Sequence, residues 1–231
     1  VNPAAGLRKA GDVARSTVLP MLAQAGVTAT LLTTTHPGHA EEHVRSMPPG
    51  STDAIVVVGG DGLLHEVANG VLARADASSA PPLPFGVVGA GTGNGVVTSL
   101  FAEAQHAQAE QGEEEDAAVD SASLPLLHTL AILRAKSGGL DVCRVSQQGR
   151  PHRFSLLSFA TGLVAEIDID SDALRWLGPA RVDVTALLKI AALHASPALL
   201  SLTRPDGSVL EIAGELVCVW ALLLPFASDN A

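Results

Sequence analysis

The 231-residue chain has no tyrosine, few other aromatic side chains and only two cysteines. Aromatic residues make up 3% of the sequence, which is too few for the stacking platforms that bind nucleic-acid bases. A formal charge of −10 also opposes binding to a polyanion, so we expect no nucleic-acid partner. Cys143 and Cys218 lack metal-ligand spacing and favour a reduced, cytoplasmic protein.

Long apolar runs are missing as well. The longest, residues 216–227, is too short to cross a bilayer and contains Pro225. No signal peptide precedes the first residue. The chain begins at Val1-Asn2-Pro3 and stops just after an apolar run, so we interpret it as a fragment that is incomplete at both ends.

Basic side chains are absent from residues 101–124, which carry seven acids, whereas the remainder of the chain carries a charge of only −3. Such a run is typical of a solvated tether between domains, and an acidic interaction site is the alternative. We therefore predict a domain over residues 1–125, with the tether at about 101–124, and a second domain over residues 126–231.

Glycine is abundant in two turns, each of which follows a short apolar strand. The first turn is Gly59-Gly60-Asp61-Gly62, after residues 54–58, and the second is Gly89-Ala90-Gly91-Thr92-Gly93-Asn94-Gly95, after residues 85–88. Glycine lets a bulky anion approach the main chain, and the first amides of a following helix add donors and a positive dipole end. The pattern matches neither a dinucleotide G-x-G-x-x-G nor a Walker lysine motif, and predicts a phosphorylated ligand beside the Asp61 carboxylate.

Strands alternate with helical periodicity in the first half, which predicts an α/β fold with a doubly wound, mostly parallel sheet. We assign helices to residues 12–24, 39–46, 63–73 and 96–104 and strands to 27–34, 54–58 and 85–88. The second half reads as strands separated by turns, with short helices at 172–174 and 186–193, and predicts a β-rich, sandwich-like domain. We expect the active site in the cleft between the two domains.

Other polar groups in this part of the chain have structural alternatives. For Glu66 a ligand contact and a favourable interaction with the helix dipole are equal alternatives, and His65 is more typical of a packed or surface residue. An acidic segment, residues 166–172, is followed by Arg175 and Arg181. Its structural alternatives are a calcium-like acidic loop and a solvated strand end, but it lacks the glycine and terminal glutamate of an EF-hand. The two arginines are suited to a polyphosphate.

Together these residues resemble the lipid kinases of the diacylglycerol kinase catalytic-domain family, and within it most closely the sphingosine kinases. The resemblance rests on these segments: Asn2-Pro3, Gly59 to Gly62 with His65-Glu66-Val67 and Asn69-Gly70, Gly91-Thr92-Gly93-Asn94, Ser155 to Ser158, Glu166 to Ser171, and Arg175 to Arg181. The segment that runs from the acidic residues 166–171 to Arg181 narrows the resemblance from the whole family to the sphingosine kinases.

The resemblance implies an ATP-dependent, Mg²⁺-assisted kinase of the primary hydroxyl of a sphingoid base, working at a peripheral membrane surface. It implies that Asp61 is the catalytic base and that Asp168, with Ser158 nearby, holds the cationic head group. The residues implied for the nucleotide are Asn2, Thr34, Gly59, Gly60, Gly62, Gly91, Thr92, Gly93, Asn94, Arg175 and Arg181. The alternatives are a diacylglycerol or ceramide kinase and a non-catalytic lipid- or nucleotide-binding relative.

Overall fold

A computed structural model describes residues 1–5, 9–74, 76–77, 83–109, 121–134, 137–178 and 180–228. The described chain divides into two compact units, Val1–Leu157 with Leu223–Ala231, and Ser158–Leu222. None of the helices in these ranges is both long and apolar enough to cross a bilayer.

The first unit contains a pair of parallel strands flanked by helices. Its elements are α1 (Ala10–Val13), a π-helical turn (Ala14–Val18), α2 (Leu19–Gln24), α3 (His39–Ser46), β1 (Ile55–Gly59), α4 (Asp61–Leu72), β2 (Phe85–Gly89), α5 (Gly95–Ala109), a 3₁₀ turn (Ser121–Ser123), α6 (Leu124–Leu133), β3 (Cys143–Val145) and β4 (Arg153–Ser155).

Helices cover both faces of the parallel pair. β1 and β2 run in register from Ile55 opposite Phe85 to Gly59 opposite Gly89. Successive side chains of a strand point to opposite faces, so Val57 packs into a core with α3 and α4, and Val58 into a second core with α1 and α2. The predicted doubly wound α/β fold is therefore confirmed.

Gly26 ends the first helical segment. Its φ of 75° lies in the left-handed region, Val27 donates to the carbonyl of Leu22, and Gly26 donates to that of Ala23. This is the hydrogen-bond pattern of a Schellman C-cap.

Residues 27–34 are extended but form no strand, contrary to the prediction. Two hydrogen bonds tie this segment to the first residue of the chain: the Val1 ammonium donates to Leu32 O at 2.7 Å and Thr34 N donates to Val1 O at 2.9 Å. A β-branched sequence becomes a strand only where a neighbour supplies a ladder of partners, and one residue does not make a ladder.

The boundary between the compact units lies at 157/158, further along the chain than the predicted 125/126. The helix α6 and the β3–β4 hairpin belong to the first unit, because α6 packs on β2 and Asn69 of α4 binds the backbone of β4. Helix α5 continues to Ala109, into the predicted tether, and residues 110–120 lie outside the described residues.

The second unit combines antiparallel strand pairs with a helical segment. Its elements are β5 (Ser158–Gly162), α7 (Leu163–Ser171), a 3₁₀ segment (Asp172–Leu177), α8 (Ala180–Ala191), β6 (Ser196–Thr203), β7 (Val209–Leu216) and β8 (Cys218–Leu222). β5 pairs with β8, and β6 pairs with β7 across the turn at residues 204–208. The expected antiparallel strands are present, but the acidic segment is a helix, which its sequence pattern did not predict.

Candidate functional site

The two glycine-rich turns meet at the carboxyl ends of β1 and β2. Ala90 N donates to Gly59 O at 2.9 Å, which extends the parallel ladder beyond the strands. A Cβ on Gly60 would lie 3.0 Å from the Cα of Gly91, closer than ordinary packing allows. Part of the glycine requirement therefore comes from the close approach of the two backbones, and not only from a ligand.

Asp61 joins the two turns through its carboxylate. It is the first residue of α4, where a negative charge favours the helix dipole. Its Oδ2 accepts the amide of Gly95 at 2.9 Å and its Oδ1 accepts the amide of Val96 at 3.0 Å. The first two amides of α5, expected from sequence to face an anion, thus have an acceptor within the chain, and a phosphate must use other donors of the turns.

The space beside Gly62, the residue after Asp61, is open, whereas Gly93 lies against the Asp61 carboxylate. A Cβ on Gly62 would meet nothing within 4 Å, and one on Gly93 would lie 3.4 Å from Asp61 Oδ2. Thr92 is exposed at the apex of the second turn. Each carboxylate oxygen carries two lone pairs, so Asp61 keeps acceptor capacity toward this space.

Asn94 closes the second turn on itself. It has a left-handed φ of 53°, its Oδ1 accepts Gly91 N at 2.8 Å, and its Nδ2 donates to Gly91 O at 3.1 Å. Asparagine tolerates this backbone region better than most residues because its short side chain can bond locally. The amide predicted to contact phosphate thus fixes the shape of the loop.

Asn2 and Thr34, two further predicted nucleotide residues, lie at the same edge of the sheet. Asn2 N donates to Val58 O at 3.4 Å, and Asn2 Oδ1 accepts Ala4 N at 2.9 Å in an Asx turn. Thr34 is buried, and its hydroxyl donates to Val1 O at 3.3 Å. The following loop at residues 6–8 lies outside the described residues.

Glu66 has a structural role that sequence reasoning left open. Its Oε1 accepts Gly38 N at 2.9 Å and its Oε2 accepts Ala40 N at 3.1 Å, at the start of α3. The helix α4 therefore carries two carboxylates, and each binds backbone amides at the N-terminus of another helix. Gly38, whose φ is 86°, directly precedes α3.

Asn69, which belongs to the segments that carry the family resemblance, ties α4 to the β3–β4 hairpin, a role that its sequence context did not predict. Its Nδ2 donates to Phe154 O and its Oδ1 accepts Phe154 N, both at 2.9 Å. The side chain is almost fully buried, and its amide gives these two backbone groups of the strand a partner inside the protein. Burial and, next, the charge of Arg153 lower the pKa of the neighbouring His65, which keeps this imidazole neutral near pH 7.

In the second unit, the acids of α7 differ in their partners. Lys189 of α8 bonds Glu166 at 3.1 Å and Asp170 at 2.5 Å. Asp168, between them in sequence, points away from that pair on a helix of 3.6 residues per turn and is exposed. Among the described residues no ion pair to Asp168 is found.

The remaining predicted residues also lie in this unit. Ser158 begins β5, opposite Leu222 of β8. Arg181 Nη1 bonds Asp172 Oδ1 at 2.6 Å, so a segment predicted to bind polyphosphate contains a charge pair of its own. Arg175 lies in the 3₁₀ segment, and its side chain is outside the described residues.

The chemistry of the turns fits a nucleoside triphosphate better than a protein-only metal cage. No cluster of three or more His, Cys, Asp or Glu side chains suited to a metal occurs in the described parts of the chain. Mg²⁺, however, is ordinarily held by one or two carboxylates together with substrate phosphates and water. Asp61 supplies one such carboxylate, and backbone amides of the kind found in the turns can bind phosphate.

Residues 1–124 match the diacylglycerol kinase catalytic domain. Sphingosine kinase 1 of Arabidopsis thaliana is 38% identical over 197 residues, which are 84% of this chain and 37% of that protein. Human sphingosine kinase 1 is 36% identical over 194 residues, which are 84% of this chain and 48% of that protein. The chain therefore spans less than half the length of either relative.

A solved structure supports the fold. A protein of Bacillus anthracis str. Sterne, provisionally assigned as a diacylglycerol kinase, superposes with a TM-score of 0.59 over 95% of this chain and 62% of that one, at 22% identity. At this identity the likeness concerns the architecture alone.

Proposed function

The chain belongs to the diacylglycerol kinase catalytic domain family, and from this premise we propose that it is the kinase part of an ATP-dependent lipid kinase. Its substrate is the primary hydroxyl of a sphingoid base, and its product is the 1-phosphate. The observation that carries the proposal is the position of the Asp61 carboxylate. Asp61 belongs to the first glycine turn, and its carboxylate accepts the amides of Gly95 and Val96 at the end of the second.

The nucleotide binds along the carboxyl edge of the β1–β2 pair. Donors remain in the two turns at Gly60, Gly62, Thr92 and Gly93, and Asn2 and Thr34 border the same edge. When bound with ATP, Mg²⁺ would be held by phosphate oxygens, water and one oxygen of Asp61, and it would supply positive charge to the phosphates. Arg175 and Arg181 contribute further positive charge to the polyphosphate.

Asp61 acts as the base. One oxygen of Asp61 accepts the proton of the lipid hydroxyl. The hydroxyl oxygen forms a bond to the γ-phosphorus of ATP, and the bond between the γ-phosphorus and the oxygen that bridges to the β-phosphate breaks, which releases ADP. The amides of Gly95 and Val96 fix the carboxylate in one orientation before the substrate arrives. Such preorganisation is what a reaction limited by positioning requires.

Asp168 recognises the cationic amine of the sphingoid base, with Ser158 nearby. Of the three acids on α7, Glu166 and Asp170 already neutralise Lys189, which leaves Asp168 to pair with a ligand. A desolvated ammonium group strongly favours such a partner. The similarity to sphingosine kinases supports this choice over diacylglycerol.

The substrate resides in a bilayer while ATP is cytoplasmic, so we place the reaction at the cytoplasmic surface of a membrane. Peripheral association suffices for such a reaction, because only the head group has to reach Asp61.

The test is a phosphoryl-transfer assay with radiolabelled ATP and Mg²⁺ and three lipids: sphingosine, diacylglycerol and ceramide. The chain is assayed alone and as a chimera in which it replaces the matched region of human sphingosine kinase 1. Phosphorylation of sphingosine above the other two lipids supports the proposal. Preference for diacylglycerol or ceramide would overturn the sphingoid assignment, and a chimera that binds no ATP would favour a non-catalytic relative.

A further inference from the structure

His128 is a buried histidine of α6 that lies beyond the region matched by the catalytic-domain family. It is 5% exposed, and its ring meets that of Phe101 edge to face, with 4.6 Å between centroids. The sequence around it, Leu126-Leu127-His128-Thr129-Leu130, is otherwise almost entirely apolar. A solitary polar ring at such a place requires a hydrogen-bond partner.

The partner is the backbone amide of Gly89, which donates to His128 Nδ1 at 3.2 Å. Gly89 is the last residue of β2 and the first of the second glycine turn. In a strand, successive amides point to opposite edges. Because Ala90 N points to β1, Gly89 N points to the other edge, where the described chain has α6 in place of a third strand.

The imidazole therefore supplies the acceptor that a neighbouring strand would otherwise provide. A hydrogen bond accepted at Nδ1 requires the neutral ring with its proton on Nε2. Burial lowers the pKa of His128 to about 4, so this form persists at neutral pH.

The same ring limits the space at Gly89. A Cβ on Gly89 would lie 3.4 Å from His128 Cε1, 3.3 Å from Asn94 Cγ and 2.9 Å from Val97 Cγ1. The ring, the amide that closes the turn and the first turn of α5 thus converge on one backbone position. A shift of Gly89 passes directly to Gly91 and Asn94.

We propose that His128 is a positioning residue for the nucleotide: by accepting the Gly89 amide it holds the second glycine turn in the form that binds phosphate. This inference rests on the proposed nucleotide site. The ligand class is a nucleoside triphosphate, and His128 acts on it through the turn, without touching it.

Two variants of His128 distinguish the effect of the hydrogen-bond acceptor from that of side-chain bulk. His128→Asn keeps an acceptor at the δ position and loses the ring, whereas His128→Leu keeps a bulky side chain and loses the acceptor. Ile132→Ala, which removes the α6 contact with Gly86, is the control for lost packing of the same helix on the same strand. ATP binding is measured by calorimetry, and backbone hydrogen exchange is followed over residues 89–95.

We expect His128→Leu to weaken ATP binding about tenfold and His128→Asn about twofold or less, the difference that one lost hydrogen bond produces. Exchange of residues 89–95 rises in His128→Leu but not in Ile132→Ala. Unchanged exchange and affinity in His128→Leu, or equal losses in Ile132→Ala, would overturn the inference. If the unaltered chain binds no ATP, the proposed function fails, and the exchange data alone decide whether His128 holds the turn.

Discussion

Asp61 Oδ2 accepts the backbone amide of Gly95 at 2.9 Å, so an acid that begins one helix also caps the next. The two glycine turns are thereby fixed to each other by a side chain as well as by the contact of Gly60 with Gly91. The proposed base is consequently part of the framework of its own site, and a change at this residue affects both chemistry and stability.

The first prediction concerns Asp61→Asn. We expect the rate of phosphoryl transfer to fall about 10²–10⁴-fold, because an amide does not accept the hydroxyl proton. The variant also loses about 1–3 kcal/mol of stability, because its NH₂ group faces one of the amides of Gly95 and Val96. Turnover and chemical denaturation are measured side by side in the chimera. Turnover near that of the unaltered protein would rule out Asp61 as the base.

The sequence predicts the site elements of the first unit well because their signals are local. An apolar β-branched run followed by glycines defines β1 and its turn, and Gly26 ends a helix by its own backbone preference. The extended segment at 27–34 was predicted wrongly, since a strand depends on partners elsewhere in the chain.

Long-range hydrogen bonds explain what the sequence did not reveal in the site. Glu66 binds amides 26 and 28 residues away, and Asn69 binds a strand 85 residues away. Neither partner is visible in a local pattern. The helical state of residues 163–171 was missed for a related reason: alternating acids and isoleucines suggest a strand, but Lys189 of α8 neutralises two acids spaced four residues apart on one helix face.

The second prediction concerns Glu66→Gln. The amide side chain retains one acceptor for the two amides of Gly38 and Ala40, so we expect a loss of about 1–2 kcal/mol. Glu42→Gln is the control, since Glu42 is an exposed acid of α3 whose described contact is a 3.4 Å approach to His36. Denaturant titration of both variants distinguishes them. A loss in Glu42→Gln as large as that in Glu66→Gln would contradict the capping role.

The third prediction concerns Asn69→Ala. Its removal leaves Phe154 N and O, which are partly buried, without their partner, and we expect a cost of about 3 kcal/mol. Hydrogen exchange of residues 143–155 rises above that of the rest of the unit. Val71→Ala, on the same helix, removes core volume but none of the hydrogen bonds to Phe154, and it serves as the reference. The same exchange pattern in both variants would show that Asn69 does not anchor the hairpin specifically.

The fourth prediction is a pH dependence of stability caused by His128. Burial lowers its pKa in the folded protein to about 4 from the ordinary value of 6.5. Below pH 6.5 the unfolded chain binds a proton that the folded chain does not, so stability falls as the pH falls from 6.5 to about 4, by up to about 3 kcal/mol. Unfolding free energies of the unaltered protein and of His128→Asn are compared across this range. The two curves should converge at low pH, and parallel curves would refute the assignment.

The last prediction separates two acids on α7. Asp168→Asn should raise the KM for sphingosine about tenfold or more, because a desolvated ammonium group loses its charged partner, while the KM for ATP stays unchanged. Asp170→Asn is the matched control, since Asp170 lies on the same helix, two residues after Asp168, but is paired with Lys189. We expect it to affect stability slightly, because the pair is largely exposed, and to leave lipid recognition intact. Equal effects of the two substitutions on the KM for sphingosine would indicate a general field of the acidic helix. Asp168 would then have no specific contact with the lipid, and the choice of a sphingoid base over a neutral lipid would have to depend on other residues.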